Sequence, residues 1–170
     1  MGSTASAWIG LLARLVTGGV WIFAGALKVT DPAASIAAVR AYELLPASLV
    51  EPVGYSLPAV ELVVGLALVL GAFTRGAAVI SALLLVAFII GISSVWARGI
   101  EIDCGCFGTG GAKAGASSSY PWEIARDVGL LAASVLLVLL QRSRLAADNL
   151  LFPSRAAAPE PVETPVSQGS

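Results

Sequence analysis

Four apolar stretches, each close to the length of a membrane-spanning helix, alternate with short polar segments along the chain. They cover residues 8–29, 52–72, 77–97 and 124–140. A helix needs ~20 apolar residues to cross ~30 Å of hydrocarbon. The pattern therefore predicts an all-α integral membrane protein, a four-helix bundle within residues 1–152. Residues 153–170 are rich in Pro, Ala and Glu without apolar periodicity, and we expect a disordered tail there.

The segment between the first two spans has the pattern of a short helix. Asp31 is a capping residue, and Pro32 follows it in the position that suits a first helical turn. The segment ends before Pro46 and carries Arg40 and Glu43 opposite an apolar side. It is too short and too charged to cross a bilayer, so we predict a helix on the membrane surface.

One face of the first span combines charged and small residues. Steps of three and four residues place five side chains on it: Arg14, Gly18, Trp21, Gly25 and Lys28. Glycines let a neighbouring helix approach closely, so this face should point into the bundle. Arg14 needs a partner or water inside the membrane, whereas Lys28, near the helix end, is expected to extend to the membrane surface.

The second span repeats this combination around Glu61. Its face also carries Gly54, Pro58, Gly65, Leu68 and Ala72. At ~1.5 Å per residue, Arg14 and Glu61 lie within roughly 7 Å of each other along the membrane normal. We therefore predict an intramembrane Arg14–Glu61 pair. The pair either fixes helix packing or has a role in proton transfer or ligand binding, in which case the expected ligand is the head group of a membrane quinone held together with Trp21.

Both cysteines lie in the loop before the fourth span. Cys104 and Cys106 flank Gly105, with Asp103 before them and Phe107 after them. Glycine permits the tight backbone that brings neighbouring sulfurs within bonding distance. A disulfide in so small a ring would be strained and readily reduced, which suits a redox-active bond better than a structural one. Asp103 and Arg98 would act on the thiols in opposite directions through their charges.

The rest of this loop is predicted to be irregular. Residues 108–119 are rich in Gly, Ala and Ser, and we expect them to be mobile. The run Tyr120, Pro121 and Trp122 then predicts an aromatic anchor at the membrane interface.

Composition narrows the chemistry that the chain can perform. Hydrophobic residues make up 57% and charged residues 12% of the sequence, there is no histidine, and the net charge is −1. The commonest metal ligand and general base is therefore missing, so any reaction depends on thiols, carboxylates, arginine or a borrowed cofactor. The few basic residues are scattered, and no nucleic-acid partner is expected.

The motifs together resemble those of a known family. They are Arg14 with Gly18-Gly19 and residues 24–28 (AGALK), Pro58 with Glu61 and Gly65, residues 103–108 (DCGCFG), and Arg126-Asp127. The chain resembles the MauE branch of the DoxX-like membrane proteins over roughly residues 14–140. The resemblance implies a four-helix bundle in the bacterial plasma membrane. It also implies a role in handling the thiols or disulfides of exported proteins, often beside a thioredoxin-like partner.

Three classes of function follow from these features. The leading hypothesis is thiol–disulfide exchange with an exported thioredoxin-like protein through Cys104 and Cys106, which would make the chain an oxidoreductase with a membrane quinone as its natural electron acceptor. Two thiolates would alternatively bind or transfer a soft metal ion such as Cu(I) or Hg(II). The third class is a non-catalytic membrane subunit, alone or oligomeric, that assembles a partner enzyme; the single cysteine pair favours such a docking role.

The orientation in the membrane does not follow from charge. Four spans place both termini on one side and the cysteine loop on the other, but lysines and arginines are almost equally divided between the two sides. Disulfides persist outside the cytoplasm. We therefore expect cytoplasmic termini and an external cysteine loop.

Overall fold

The computed structural model describes residues 2–103, 111–112 and 114–139. Within these residues the chain forms five helices: α1 (Gly2–Thr30), α2 (Pro32–Ala41), α3 (Ala47–Leu70), α4 (Thr74–Ala97) and α5 (Tyr120–Leu139). Two short strands, β1 (Ile102–Asp103) and β2 (Gly111–Ala112), and the 3-10 helix Ala116–Ser118 lie between α4 and α5. Residues 8–30 of α1, together with α3 and α4, are long and apolar enough to cross a membrane. The prediction of an all-α membrane protein is confirmed.

Local signals explain where the first helices begin and end. The Asp31 side chain accepts a hydrogen bond of 3.0 Å from the Ala34 amide, as its capping role predicts, and α2 follows directly. The helix ends at Ala41, earlier than expected. In turn, α3 begins at Ala47 instead of Pro52, because a proline in the second turn is tolerated when packing supports the helix.

The connection between α3 and α4 is shorter than the sequence suggested. Gly71 stops α3 with φ of 72°, and its amide donates to the carbonyl groups of Ala67 and Leu68. Glycine adopts this left-handed conformation without the penalty of a Cβ. Phe73, at φ 51°, completes the turn, and α4 starts at Thr74, so the turn lies over residues 71–73 and not 73–76.

Close glycine contacts fix α1 against α3 in antiparallel orientation. A Cβ on Gly65 would lie 2.8 Å from the carbonyl oxygen of Gly18, and one on Gly25 would lie 3.0 Å from that of Pro58. The residue numbers of the contacts rise along α1, from 18 to 25, and fall along α3, from 65 to 58. Both predicted small-residue faces are therefore interior, with Ala72 at the end of α3 only half-buried.

A chain of polar side chains links α1, α4 and α5 across the interior. Trp21 Nε1 donates to Ser81 Oγ at 2.7 Å, and Ser81 Oγ lies 2.9 Å from Ser134 Oγ. The ring centroids of Trp21 and Phe88 are 6.0 Å apart. Ser81 contacts Trp21, and Phe88, seven residues later, contacts Lys28, seven residues after Trp21. The helices α1 and α4 therefore run in the same direction.

The distribution of polarity is the reverse of that in a soluble protein. Arg14, Glu61 and Asp127 are 0–2% exposed, whereas Val63 and Leu83 are 65–66% exposed. Soluble proteins seldom bury charges and seldom surround themselves with large aliphatic side chains. A bilayer accounts for both features, since lipid covers the apolar exterior and the charges need partners within.

A small hairpin lies at the end of the molecule where α4 ends and α5 begins. Asp103 pairs with Gly111, and Ile102 with Ala112. The buried Tyr120 hydroxyl accepts from the Ile102 amide at 2.8 Å, and the carbonyl oxygens of Ile100 and Ile102 lie 3.0 and 3.1 Å from it. The expectation that Tyr120 is an interface anchor was therefore wrong, because its hydroxyl is needed in the interior. Trp122, which is 74% exposed, remains available for that role.

Residues 114–119 are more ordered than their composition suggested. The Glu101 carboxylate accepts from the Gly115 amide and from the Ser117 hydroxyl, each at 2.9 Å. These bonds fix the 3-10 helix beside the hairpin. The prediction of a mobile segment is wrong for this part of it, since a single acidic side chain supplies the order; residues 108–110 and 113 lie outside the described residues.

Candidate functional site

The interior charge on α3 is paired with a lysine of α1. Lys28 Nζ forms an ion pair with Glu61 Oε1, and both side chains are buried, at 8% and 0% exposure. The Lys28 ammonium also lies 5.4 Å from the centroid of the Phe88 ring, within the range of a cation–π contact. The expectation that Lys28 extends to the membrane surface is therefore wrong.

Arg14 does not take part in this pair. Its Nε donates to the Leu68 carbonyl at 2.9 Å, and its second terminal nitrogen to the Val69 carbonyl at 3.1 Å. The predicted Arg14–Glu61 pair is corrected to Lys28–Glu61. Side chains lean towards the N-terminus of their own helix, so those of Arg14 and Glu61 lean apart on antiparallel helices, while Lys28 leans towards Glu61.

A second pair of charges lies on α5 and faces the same space. Asp127 Oδ1 accepts from Arg126 Nε at 3.0 Å and from a terminal nitrogen of Arg126 at 2.8 Å. Both pairs line a cavity of about 20 Å³, together with Trp21, which is room for about one water molecule. Glu61 Oε2 and Asp127 Oδ2 are buried without a hydrogen-bond partner among the described residues. The cavity is thus lined by two carboxylates, each with one oxygen that accepts no hydrogen bond from the described residues.

A larger, apolar groove opens next to this cavity. It has a volume of about 220 Å³ and lies between α2, α3 and α4. Ala38, Tyr42, Val53 and Ala87 are among its lining residues, and Lys28 and Phe88 line both the groove and the cavity. A molecule with an apolar body in the groove would therefore have its inner end at the Lys28 ammonium.

The residues predicted to bind a quinone are only partly brought together. Trp21 and Glu61 line the small cavity, but Arg14 is not among the residues that line either space. The Trp21 indole is engaged with Ser81, so the other polar side chains that line the small cavity are those of the two ion pairs. The cation at the candidate site is therefore Lys28 and not Arg14.

The cysteine motif itself lies outside the described residues. Cys104, Gly105, Cys106 and Phe107 are among residues 104–110, and Asp103, half-buried, is the last residue of β1. No group of three or more potential metal ligands was found among the residues that the structure describes.

Arg98, predicted to act on the thiols, is used to join two helices. Its guanidinium donates to the Tyr42 carbonyl and, at 3.3 Å, to that of Ser94. It also lies 3.7 Å from a carboxylate oxygen of Glu43. Arg98 thus ties the end of α4 to the residues that follow α2, at the same end of the molecule as the hairpin.

The environment of the hairpin changes the acidity of one carboxyl group. The Gly115 amide and, secondarily, the Ser117 hydroxyl donate to Glu101 and hold its pKa below the usual 4.5. Hydrogen bonds to a carboxylate stabilise its charged form. The carboxylate therefore stays charged and keeps the hairpin attached to the 3-10 helix over a wider range of acid pH.

Sequence reasoning missed the interior positions of Asp127 and Tyr120 and gave no role to Glu101. A signal for the first two was present, because the buried positions of α5 recur at steps of seven, three, four and three residues: Tyr120, Asp127, Leu130, Ser134 and Leu137. Glu101 carried no such signal, since its partners follow it by 14 and 16 residues in an irregular segment.

Comparison with known proteins identifies the family. Residues 6–140 match the family model described as methylamine utilisation protein MauE. Neither the curated proteins nor the solved structures include a match to the chain. The family match covers most of the sequence, and it includes the four long helices, both ion pairs and the cysteine motif. The chain is therefore a membrane protein of the MauE family, which is associated with methylamine utilisation.

Proposed function

We propose that this protein exchanges thiol and disulfide equivalents with an exported thioredoxin-like protein through Cys104 and Cys106. The observation that carries the proposal is the anchored hairpin. Asp103 directly precedes Cys104 and pairs with Gly111, and the neighbouring Ile102 is bonded to the buried Tyr120 hydroxyl. The segment that contains both thiols therefore begins and ends at one fixed point at the end of the membrane domain.

Covalent geometry limits how far the thiols can lie from this point. Cys106 is three residues after Asp103, so their Cα atoms are at most ~11 Å apart. A reactive pair tied so closely to the bundle would face a partner at the membrane surface rather than one deep in the aqueous phase. Anchoring both ends of the segment also limits the conformations available to it, so less conformational entropy is lost when the partner docks.

The exchange uses two successive thiolate attacks. One cysteine thiolate attacks the partner's disulfide, forms a mixed disulfide and releases one partner thiolate, which takes up a proton. The second cysteine then attacks the sulfur of the first. This step closes the Cys104–Cys106 disulfide and releases the partner as a dithiol. The same steps in reverse oxidise the partner, and no metal ion takes part in either direction.

The proposed setting is the bacterial plasma membrane, with α5 as the fourth span. In this arrangement both termini are cytoplasmic, α2 lies on the outer surface, and the hairpin presents the cysteines outside. An oxidising exterior supports this orientation, because a disulfide formed there persists. The Trp122 and Trp96 side chains, which are 74% and 48% exposed near the hairpin end, suit the outer interface.

A trapping experiment tests the proposal. The variants Cys104→Ser and Cys106→Ser each leave one thiol, so the partner's mixed disulfide cannot be resolved and should accumulate. We expect one of the two variants to give a reducible adduct with an exported thioredoxin-like protein on non-reducing gels. The double variant is the matched control and should give none.

The opposite results are equally clear. If neither single-cysteine variant forms a reducible adduct while the wild type binds Cu(I) or Hg(II) tightly through both thiols, the exchange proposal is wrong. If the double variant supports methylamine utilisation as fully as the wild type, a non-catalytic assembly role replaces it.

A further inference from the structure

We infer that the groove between α2, α3 and α4 is the binding site of a lipid-soluble quinone whose head group reaches Lys28. The inference names the electron partner of the proposed exchange, and its redox role rests on that proposal, whereas binding itself does not. Three features support it: the apolar groove, the neutral charge pair at its inner end, and the unused carboxylate oxygens behind that pair.

The groove suits the apolar part of such a molecule. Its volume is about 220 Å³ and its wall is largely aliphatic. Ala87, an exposed residue of α4, and Val53 of α3 both line it. Two of the helices that form it, α3 and α4, would be in contact with lipid, so a molecule dissolved in the membrane could enter without crossing water. Burial of apolar surface against an already formed wall would then favour binding.

The inner end of the groove selects a polar head without charge. Lys28 is already neutralised by Glu61, so an anionic phosphate would add an uncompensated negative charge in a buried place. A quinone carbonyl is neutral and accepts a hydrogen bond from the ammonium. The Phe88 ring beside Lys28 offers an aromatic surface on which a quinone ring could stack.

The carboxylates behind Lys28 suit the reduced form of the same head. Glu61 Oε2 and Asp127 Oδ2 are buried acceptors without partners among the described residues, and each costs free energy as long as it is unpaired. A quinol hydroxyl is a donor that such an oxygen could accept from, directly or through a water molecule in the small cavity. The site thus offers a donor to the quinone and acceptors to the quinol.

The groove is also close to the hairpin that carries the cysteines. α2, which forms one side of the groove, packs against both β1 and β2. Tyr42 lines the groove beside Gly91, and Arg98 holds the Tyr42 carbonyl from the end of α4. The quinone site and the base of the thiol segment therefore share one end of the membrane domain.

The redox balance of the pair is complete. When Cys104 and Cys106 are oxidised, two S–H bonds break and one S–S bond forms, which releases two electrons and two protons. The quinone takes up two electrons and two protons and becomes a quinol. With a quinone as oxidant, the thiol pair is returned to the disulfide state after each exchange that has reduced it.

Binding of decylubiquinone to the full-length protein in lipid nanodiscs tests the site. Saturable quenching of tryptophan fluorescence, corrected with empty nanodiscs, gives Kd. We expect Ala87→Phe, which fills the groove, to raise Kd at least about tenfold, or about 1.4 kcal/mol. Ala59→Phe places the same side chain on an exposed position of α3 that does not line the groove, and should leave Kd within about twofold.

A second variant tests the head-group contact. Lys28→Met combined with Glu61→Gln removes both charges, so no unpaired ion remains, and we expect Kd to rise by about tenfold. Decylbenzene, which carries the same alkyl chain without carbonyl groups, should not displace the quinone at equal concentration. If decylbenzene competes equally, or if Ala87→Phe binds as tightly as Ala59→Phe, the quinone site is refuted.

The two proposals fail in different ways. If thiol exchange is wrong but the site is real, quinone binding persists with its dependence on Ala87 and Lys28, while no mixed disulfide is trapped. If the site is wrong but exchange is real, the mixed disulfide is trapped and quinone binding is absent or insensitive to both groove variants.

Discussion

The Lys28–Glu61 pair places a full charge from each of two helices inside the membrane domain. Removing two ions from water costs several kcal/mol each, and their mutual attraction offsets this only when both are present. The pair is thus a poor choice if stability alone were needed, because two apolar side chains of similar size would serve as well. Under the quinone proposal, the charges serve the head group, because Lys28 lines both the groove and the small cavity.

Loss of one member of this pair should be far more harmful than loss of both. We expect Lys28→Met to destabilise the protein by ~3–5 kcal/mol, because the Glu61 carboxylate is left buried and unpaired. Adding Glu61→Gln should recover most of that loss. Thermal unfolding of the detergent-solubilised protein measures both. Arg75→Met, at an exposed position, is the control and should have little effect; equal losses in Lys28→Met and Arg75→Met would contradict the buried pair.

Glu101 gives the hairpin a pH dependence of defined sign. Its pKa is held below 4.5 in the folded protein. A lowered pKa means that its contribution to stability is complete above the unfolded value and disappears as the pH falls through the folded value. We expect the Gly115 amide to exchange with solvent more slowly in the wild type than in Glu101→Gln at about pH 7, and the difference to disappear at a pH below the lowered pKa of Glu101. Equal rates at both pH values would show that the carboxylate does not hold this segment.

The contact of α1 with α3 depends on glycines that allow backbone to approach backbone. At Gly65 a methyl group would lie 2.8 Å from both the Gly18 carbonyl oxygen and the Ile22 amide nitrogen. Neither atom can move without shifting a helix. The same contact fixes the register in which the Lys28 side chain reaches Glu61, so it serves the candidate site as well as the fold.

A matched pair of alanine variants tests this contact. We expect Gly65→Ala to lower stability by ~1–3 kcal/mol, because the helices must separate to accept the methyl group. Gly19→Ala has nothing within 4 Å of the added atom and should be neutral or slightly stabilising. Thermal unfolding in detergent compares the two; if they behave alike, the close approach of α1 and α3 is not required.

The hairpin depends on a single hydroxyl group from α5. In Tyr120→Phe the Ile102 amide loses its partner at 2.8 Å, and we expect a loss of ~1–2 kcal/mol in local stability. Hydrogen exchange at Ile102 should become faster, while exchange in the middle of α3 stays unchanged. Tyr55→Phe, at a side chain that is 57% exposed, is the control. Unaltered exchange at Ile102 in Tyr120→Phe would exclude the hydroxyl as the anchor.

Periodic features of the sequence were sufficient to predict the helices and their inner faces. Hydropathy located the long helices, and steps of three and four residues correctly assigned the buried faces of α1 and α3. The predicted partner of Glu61 was wrong because only the depth of each residue in the membrane was compared. The direction in which each side chain leans along its helix takes Arg14 away from Glu61 and brings Lys28 to it. The hairpin and the groove were not predictable, because both arise from contacts between segments without a repeating pattern.

Across the described part of the molecule, a few charged side chains are buried in the interior, while many large apolar side chains are exposed. The interior pairs, the groove and the hairpin all lie in the half of the molecule that contains α2 and the start of α5. The proposed thiol exchange and the proposed quinone site both belong to that half. The opposite half contains the Arg14 contacts with α3 and the turn after Gly71, whose contacts are structural.

The central claim is that Cys104 and Cys106 form a reversible disulfide in the living cell. A maleimide carrying a mass tag, applied to cells before and after reduction, counts the free thiols directly. The account predicts that a substantial share of the protein gains two tags only after reduction, and that this share changes when the partner is removed. It is contradicted if both thiols react fully without reduction under every condition.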